Sequence, residues 1–164
     1  MKELKIGEVY ISKQGELSEN YEKFKKIVTD KKIKVTVIEK GDRINIEKNI
    51  YIDVIWPNNS NLISENVLNN NSIVCKMHFK KFSILFTGDI EEIAEKQILE
   101  EYNKRPQNLD STILKVGHHG SKTSSTQDFL NTIKPKIALI GVGENNRFGH
   151  PNEDIIKRLE NMRS

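Results

Sequence analysis

Three of the four histidines in this chain lie in two segments that each follow a predicted strand. His118 and His119 stand side by side in one segment, and His150 lies in the other. Asp89 follows a third predicted strand in the same way. Imidazole and carboxylate groups are ligands for Zn²⁺ and Mn²⁺. Because strand ends in a layered sheet open on a common crevice, this placement predicts that the four side chains meet there.

Glycine, hydroxyl and basic residues surround these four positions. Gly88 and Gly120 allow the backbone to turn sharply and to approach an ion or a phosphate closely. Ser121 begins a run of hydroxyl residues whose side chains and backbone N–H groups suit phosphate oxygens. Lys122 and Arg147 add positive charge that fits a polyanionic substrate. The surroundings therefore favour a site for a phosphate-containing ligand.

Each of these residues also has an ordinary structural interpretation. Asp89 alone is more typical of a turn or a helix N-cap, and His150 of a loop residue before a helix. Two adjacent histidines are commonly one core and one exposed side chain, and Arg147 alone is typical of a solvated loop. His78 alternates with apolar residues in a strand and is given no functional role. The functional interpretation depends on the joint placement after apolar strands.

Apolar periodicity predicts the elements that position these residues. Strands are predicted at 6–11, 33–37, 43–46, 50–56, 72–79, 82–86, 111–116 and 136–141. Helices are predicted after Ser18, over 91–102 and 129–133, and from Pro151. The segment 57–71 holds seven asparagines and is predicted to be a loop, either solvated or in contact with substrate. The last strand, 136–141, is apolar enough to be buried on both faces.

The order of these elements predicts one layered α/β (α+β) domain over residues 1–164. A strand–helix–strand unit comes first, hairpin strands follow, and strand–helix units close the chain. Charged residues make up 30% and hydrophobic residues 36%, which is typical of a soluble globular protein. The longest apolar run is too short to span a bilayer. The formal net charge of +3 fits a polyanionic substrate without requiring one.

Three segments resemble the later motifs of the metallo-β-lactamase superfamily. They read FTGD at 86–89, LKVGHHGSKTSS at 114–125 and VGENNRFGHP at 142–151. More narrowly, they resemble the lactamase-like domain of ComEC-type competence proteins, as does NNSIV at 70–74. The resemblance covers essentially the whole chain and implies an αββα sandwich, with two metal ions at one edge of the complete domain.

The resemblance also implies a role for each histidine and for the aspartate. Asp89 would be the bridging metal ligand, and His119 a second ligand. His118 would then lie beside the metal or face the substrate, in a catalytic position. His150 would hold a phosphate or donate a proton to the leaving group.

One motif of the superfamily, H-x-[HD]-x-D-H, is absent, since no histidine precedes His78. By resemblance the chain is therefore expected to be an N-terminally truncated sandwich, the C-terminal portion of the full domain. The reduced ligand set predicts weak metal binding, or none, by this chain alone. An exposed sheet edge is expected to favour self-association.

Three functional hypotheses follow. The first is a metal-dependent phosphodiesterase or nuclease that uses Zn²⁺ or Mn²⁺ and acts on DNA, in single-stranded form, during uptake. The second is a non-catalytic module of a competence protein that binds DNA or a partner. The third is a metallo-hydrolase of lactams, thioesters or small phosphoesters. Resemblance to ComEC-type proteins implies a parent with membrane helices, of which this would be a soluble, extracytoplasmic part.

Overall fold

The computed structural model describes residues 5–13 and 18–162. Within them the chain is a mixed α+β structure with two sheets. The strands are β1 Glu8–Ile11, β2 Lys34–Val37, β3 Arg43–Glu47, β4 Ile50–Trp56, β5 Val74–Phe79, β6 Phe82–Phe86, β7 Ile113–Lys115 and β8 Ile137–Leu139. The helices are α1 Glu19–Asp30, α2 Val67–Asn70, α3 Glu92–Glu101, α4 Gln127–Ile133 and α5 Glu153–Asn161. None of the helices among these residues is both long and apolar enough to cross a membrane.

The two sheets differ in size and in strand direction. β1 and β2 pair in parallel and are connected by α1, which Ser18 caps by accepting a hydrogen bond from the Tyr21 N–H at 3.2 Å. The second sheet has six strands in the order β3-β4-β5-β6-β7-β8. Its first four strands are antiparallel, and β6, β7 and β8 are parallel. Because β6, β7 and β8 are parallel, their carboxyl ends lie together along one edge of the sheet, the edge at which the loops after these strands begin.

One face of the six-stranded sheet packs against α3, α4 and α5. Trp56, Leu85 and Leu114 supply the sheet side of this core and are each at most 1% exposed. The helices contribute buried side chains of the same kind: Ala94, Ile98, Phe129, Leu130, Ile133 and Ile155. Burying a large apolar side chain contributes about 1.5–3 kcal/mol. This core holds the site-bearing strand ends in place.

The other face of the same sheet is also apolar but is partly open. Cross-strand pairing places Met77, Ile84 and Ile113 next to one another on this face. Leu85, the residue after Ile84, lies on the opposite face, in the core. Phe86, on the same face, is 38% exposed. The six-stranded sheet is thus apolar on both faces, and α3, α4 and α5 cover one of them.

The prediction that the last strand is buried on both faces is wrong. Ile137 and Leu139 of β8 are 48% and 47% exposed, whereas Ala138 packs against the core. β8 is the final strand of the sheet order, so within residues 5–13 and 18–162 no strand pairs with its outer edge. The apolar side chains at 137 and 139 lie on the open face of the sheet, on the same side as Ile113.

The asparagine-rich segment 57–71 is an ordered connection rather than a fully solvated loop. It includes α2, and Asn70 and Asn71 are completely buried. The Trp56 indole N–H donates to the Asn70 carbonyl at 2.8 Å. The Asn71 side chain accepts from the Ile63 N–H at 2.9 Å and donates to the Ile63 carbonyl at 2.8 Å. These amides satisfy buried backbone groups and fix the segment against the sheet.

Candidate functional site

The loops that follow β6, β7 and β8 meet at one edge of the six-stranded sheet. The His118 N–H donates to the Gly88 carbonyl at 3.0 Å, which joins the loop after β7 to the loop after β6. The His119 ring Nδ1 lies 2.7 Å from the Gly141 carbonyl oxygen, in the loop after β8. The structure therefore brings the loops that carry Asp89, His118 and His119 together at this end of the strands.

Two glycines allow these loops to approach so closely. Gly88 has φ +56°, and a Cβ at this position would lie 2.7 Å from the Cβ of Ser72. Gly120 has φ +81°, and a Cβ there would lie 2.8 Å from the Cβ of Pro151. Both positions combine a left-handed backbone with a contact too short for any side chain. The loop with the two histidines is thus packed directly against the start of the last helical segment.

The two adjacent histidines both have a left-handed backbone conformation. His118 has φ 46° and ψ 42°, and His119 has φ 57° and ψ 22°. A non-glycine residue in this region costs about 1–3 kcal/mol, and such residues cluster at functional sites. Lys32, Lys80 and Lys134 share this conformation at turns of the same chain, so the backbone conformation by itself assigns no role to the pair.

Asp89 and His119 face each other across the site. Asp89 Oδ1 lies 3.7 Å from His119 Nε2, and the two side chains are 43% and 51% exposed. A carbonyl oxygen only accepts hydrogen bonds, so the contact with Gly141 places the proton of the neutral ring on Nδ1 and leaves a lone pair on Nε2. When Zn–N and Zn–O bonds are about 2.0–2.2 Å long, the ligating nitrogen and oxygen atoms lie about 3–4 Å from each other.

The pair accordingly fits two ligands on one side of a divalent metal ion. Across residues 5–13 and 18–162, no group of three or more His, Cys, Asp or Glu side chains is arranged to hold a metal. Asp89 is not the helix cap that its position alone suggests, because Glu91 is the N-cap residue of α3. Its carboxylate is left facing the site.

Glu91 also lies at the site, at the N-terminus of α3. Its Oε1 lies 3.6 Å from His118 Nδ1 and accepts a hydrogen bond from the Thr123 hydroxyl at 3.2 Å. Its Oε2 accepts from the side-chain amides of Asn66 at 3.0 Å and Asn70 at 3.3 Å. Glu91 thus connects the asparagine-rich segment to the histidine loop. Its position two residues after Asp89 is the sequence signal for this role.

His150 lies beside His118, as the sequence predicts for residues that follow neighbouring strands. The centroids of the two rings are 6.0 Å apart, in an edge-on arrangement. Asn146 fixes the loop by accepting from the His150 N–H at 2.9 Å and donating to the His150 carbonyl at 2.7 Å. The two rings therefore occupy neighbouring positions on the same side of the sheet edge.

The three residues predicted to contact substrate lie in different surroundings. Ser121 is 6% exposed, and its hydroxyl is 3.0 Å from that of Thr123. Lys122 is exposed next to Thr123. Arg147 is exposed, and its guanidinium carbon lies 5.0 Å from the centroid of the Phe148 ring. Substrate contact by these residues stays a prediction, with Lys122 and Arg147 the more accessible of the three.

Buried Glu95 fixes the segment that follows the histidine loop. Its side chain is 1% exposed and accepts hydrogen bonds from the Ser125 N–H and from the N–H and hydroxyl of Thr126, the last two at 2.8 and 2.7 Å. Burial raises the pKa of Glu95, and these three donors oppose that effect. The contact holds the end of the hydroxyl run against α3.

Comparison with known proteins identifies relatives among competence proteins. ComE operon protein 3 of Bacillus subtilis is 29% identical over 160 residues, which are 98% of this chain and 20% of that protein. Competence protein ComA of Neisseria gonorrhoeae is 35% identical over 91 residues, 56% of this chain and 13% of that protein. Recombination protein 2 of Haemophilus influenzae is 34% identical over 96 residues, 58% of this chain and 11% of that protein.

The chain spans a fifth or less of the length of these relatives. No family model matches it. Membership of the metallo-β-lactamase superfamily therefore stays a prediction. The matches support the narrower resemblance seen in the sequence, a relationship to ComEC-type competence proteins.

Proposed function

We propose that this chain is part of a metal-dependent phosphodiesterase that cleaves DNA during competence. The observation that carries the proposal is the facing pair of Asp89 Oδ1 and His119 Nε2, 3.7 Å apart, on strained loops at the ends of parallel strands. The name of one relative refers to competence and the name of another to recombination, which supports DNA as the substrate.

The proposed fold is the αββα sandwich of the metallo-β-lactamase superfamily. The second, open face of the six-stranded sheet supports this proposal, because it is apolar along several strands and would be covered by a second sheet layer. Phe79, Phe82 and Phe86 are 43%, 37% and 38% exposed on the strands of this sheet. Covering such side chains is a general driving force for layer packing.

In the proposed site, Asp89 and His119 hold the metal. The Gly141 carbonyl orients the His119 ring, which is the usual arrangement around a histidine ligand. A bound Zn²⁺ or Mn²⁺ supplies a hydroxide at neutral pH and stabilises charge on phosphoryl oxygens. A catalytic zinc site has three protein ligands, so Asp89 and His119 would not complete such a site by themselves.

The remaining residues of the site bind and orient the phosphodiester. Glu91 Oε1 lies 3.6 Å from His118 Nδ1, and in this proposal the opposite ring nitrogen, Nε2, contacts a phosphate oxygen. His150, beside it, is placed to hold a phosphate or to donate a proton to the leaving oxygen. Exposed Lys122 and Arg147 attract the anionic backbone to this edge of the sheet.

Cleavage of a labelled single-stranded oligonucleotide tests the proposal. With the whole protein of which this chain is proposed to be part, in excess over the DNA and with millimolar Mn²⁺, we expect cleavage products that EDTA abolishes. Asp89→Asn and His119→Gln should each abolish them, because each removes a ligand. His78→Gln is the matched control, since His78 stacks on Tyr51 at 4.5 Å between centroids, away from the site. Absence of cleavage by the whole protein with Mn²⁺ or Zn²⁺ would refute the proposed function.

A second candidate is a module that binds DNA without cutting it. The absence of a three-residue ligand group among the described residues favours this candidate. It predicts that the wild-type chain binds single-stranded DNA in EDTA as tightly as in Mn²⁺, and that no products form. The same oligonucleotide therefore distinguishes the two functions.

A further inference from the structure

Phe148 is an unusually exposed aromatic residue beside the candidate site. It is 66% exposed, the highest value for a large hydrophobic side chain among the described residues. It lies two residues before His150. Single exposed apolar residues are common on protein surfaces, so exposure alone indicates nothing. What distinguishes Phe148 is how its loop is built and what its ring contacts.

The loop that carries Phe148 is fixed by one asparagine side chain. Asn146 Oδ1 accepts hydrogen bonds from the N–H groups of Phe148 at 3.2 Å and His150 at 2.9 Å. Asn146 Nδ2 donates to the carbonyls of Gly143 at 3.1 Å and His150 at 2.7 Å. Four hydrogen bonds from one side chain give the loop a defined shape. The ring of Phe148 is therefore presented to solvent from an ordered turn.

The Phe148 ring begins a line of groups that leads into the site. It is stacked on the His150 ring, with centroids 5.9 Å apart and planes 18° apart. His150 in turn meets the edge of His118. The Arg147 guanidinium lies 5.0 Å from the Phe148 centroid. An aromatic face, a cation and the proposed phosphate-binding histidines thus lie side by side.

We propose that Phe148 is a stacking platform for an unpaired nucleobase, with Arg147 beside the phosphate attached to that base. The inference rests on the proposed function, because DNA at the site is what brings a base to this ring. Aromatic side chains next to basic residues bind single strands in this way without reading sequence. Bases in a duplex are already stacked, so the platform selects single-stranded DNA.

Fluorescence anisotropy with this chain in EDTA tests the proposal separately from cleavage. The probes are a short labelled oligothymidylate, an abasic oligomer with the same number of phosphates, and a duplex. Phe148→Ala and Phe148→Leu should weaken binding of the oligothymidylate about 5- to 150-fold, the loss expected for one stacked base. Phe148→Trp should retain wild-type affinity. Binding of the abasic oligomer and of the duplex should be the same in all four proteins.

Two controls keep the outcome interpretable. Arg147→Ala should weaken binding of the oligothymidylate and the abasic oligomer alike, because both carry phosphates. Circular dichroism should show unchanged folding for the Phe148 variants, since the side chain is mostly exposed. Leucine as effective as phenylalanine, or equal weakening for the abasic oligomer, would overturn the platform. Wild-type protein that binds none of the probes would overturn it too, whereas the cleavage assay decides the proposed function independently.

Discussion

Replacing Glu95 with glutamine removes the buried acceptor that fixes the segment after the two histidines. The wild-type carboxylate accepts from three donors, the Ser125 N–H and the N–H and hydroxyl of Thr126. Glutamine has one acceptor oxygen, and its NH₂ group would face a donor. The substitution keeps the size of the side chain, so the change in stability reports the hydrogen bonds rather than packing.

The magnitude follows from these contacts. Hydrogen bonds to a charged group contribute about 1.5–3 kcal/mol each, and a buried donor left without a partner costs about 1–3 kcal/mol. Removing the charge recovers part of the desolvation that raises the pKa of Glu95. We therefore expect Glu95→Gln to lower the free energy of unfolding by about 2–4 kcal/mol. That is a large fraction of the about 5–15 kcal/mol typical of a folded domain.

Urea denaturation followed by circular dichroism measures this difference. Glu92→Gln is the matched control, because Glu92 lies in the same helix turn and is exposed. It should cost less than about 1 kcal/mol, because the lost interaction with the helix dipole is offset by the relief of repulsion between Glu92 and Glu95. An effect of Glu95→Gln no larger than that of Glu92→Gln would refute the reasoning, since it would mean that the three contacts contribute nothing net.

Three further substitutions test other parts of the structure. Gly120→Ala should lower the free energy of unfolding by about 2–4 kcal/mol, because the new Cβ would clash with Pro151 and residue 120 has a left-handed backbone. Gly143→Ala is the control and should cost far less in the same urea assay, because its Cβ would meet no atom within 4 Å. Burial lowers the pKa of Lys76, so the folded state binds fewer protons than the unfolded state below the ordinary value of 10.5. The free energy of unfolding of the wild type, minus that of Lys76→Met, should therefore rise between pH 7 and pH 10. A fall in this difference would contradict the effect of burial on Lys76. Leu139→Lys on the terminal strand β8 should reduce the concentration-dependent self-association that light scattering measures. A wild-type chain that stays monomeric would exclude the outer edge of β8 as an interface.

Local signals were sufficient to predict the elements that carry the site. The strands 50–56 and 82–86 have the predicted ends, because Pro57 terminates one and a tight hairpin begins the other. Ser18 caps α1 as predicted from its side chain and from the apolar positions after it. The meeting of Asp89 with the two histidines followed from one rule, that neighbouring parallel strands end at the same edge.

Features that depend on distant contacts could not be predicted in this way. Glu91 joins the site through Asn70 and Thr123, which lie 21 and 32 residues away in the chain. An asparagine-rich segment reads as solvated, yet Asn70 and Asn71 are buried because they satisfy backbone groups of a folded connection. The exposure of Ile137 depends on which strand ends the sheet, and apolar composition alone does not encode that position.

A titration with Co²⁺, followed by its visible absorption, tests most directly whether Asp89 and His119 hold a divalent ion. Nitrogen and oxygen ligands should give the wild-type chain a saturable Co²⁺ spectrum that Zn²⁺ displaces. Asp89→Asn and His119→Gln should each weaken binding at least tenfold, while His78→Gln should bind as the wild type does. Equal Co²⁺ binding by all four proteins would contradict the metal site proposed at this edge of the sheet.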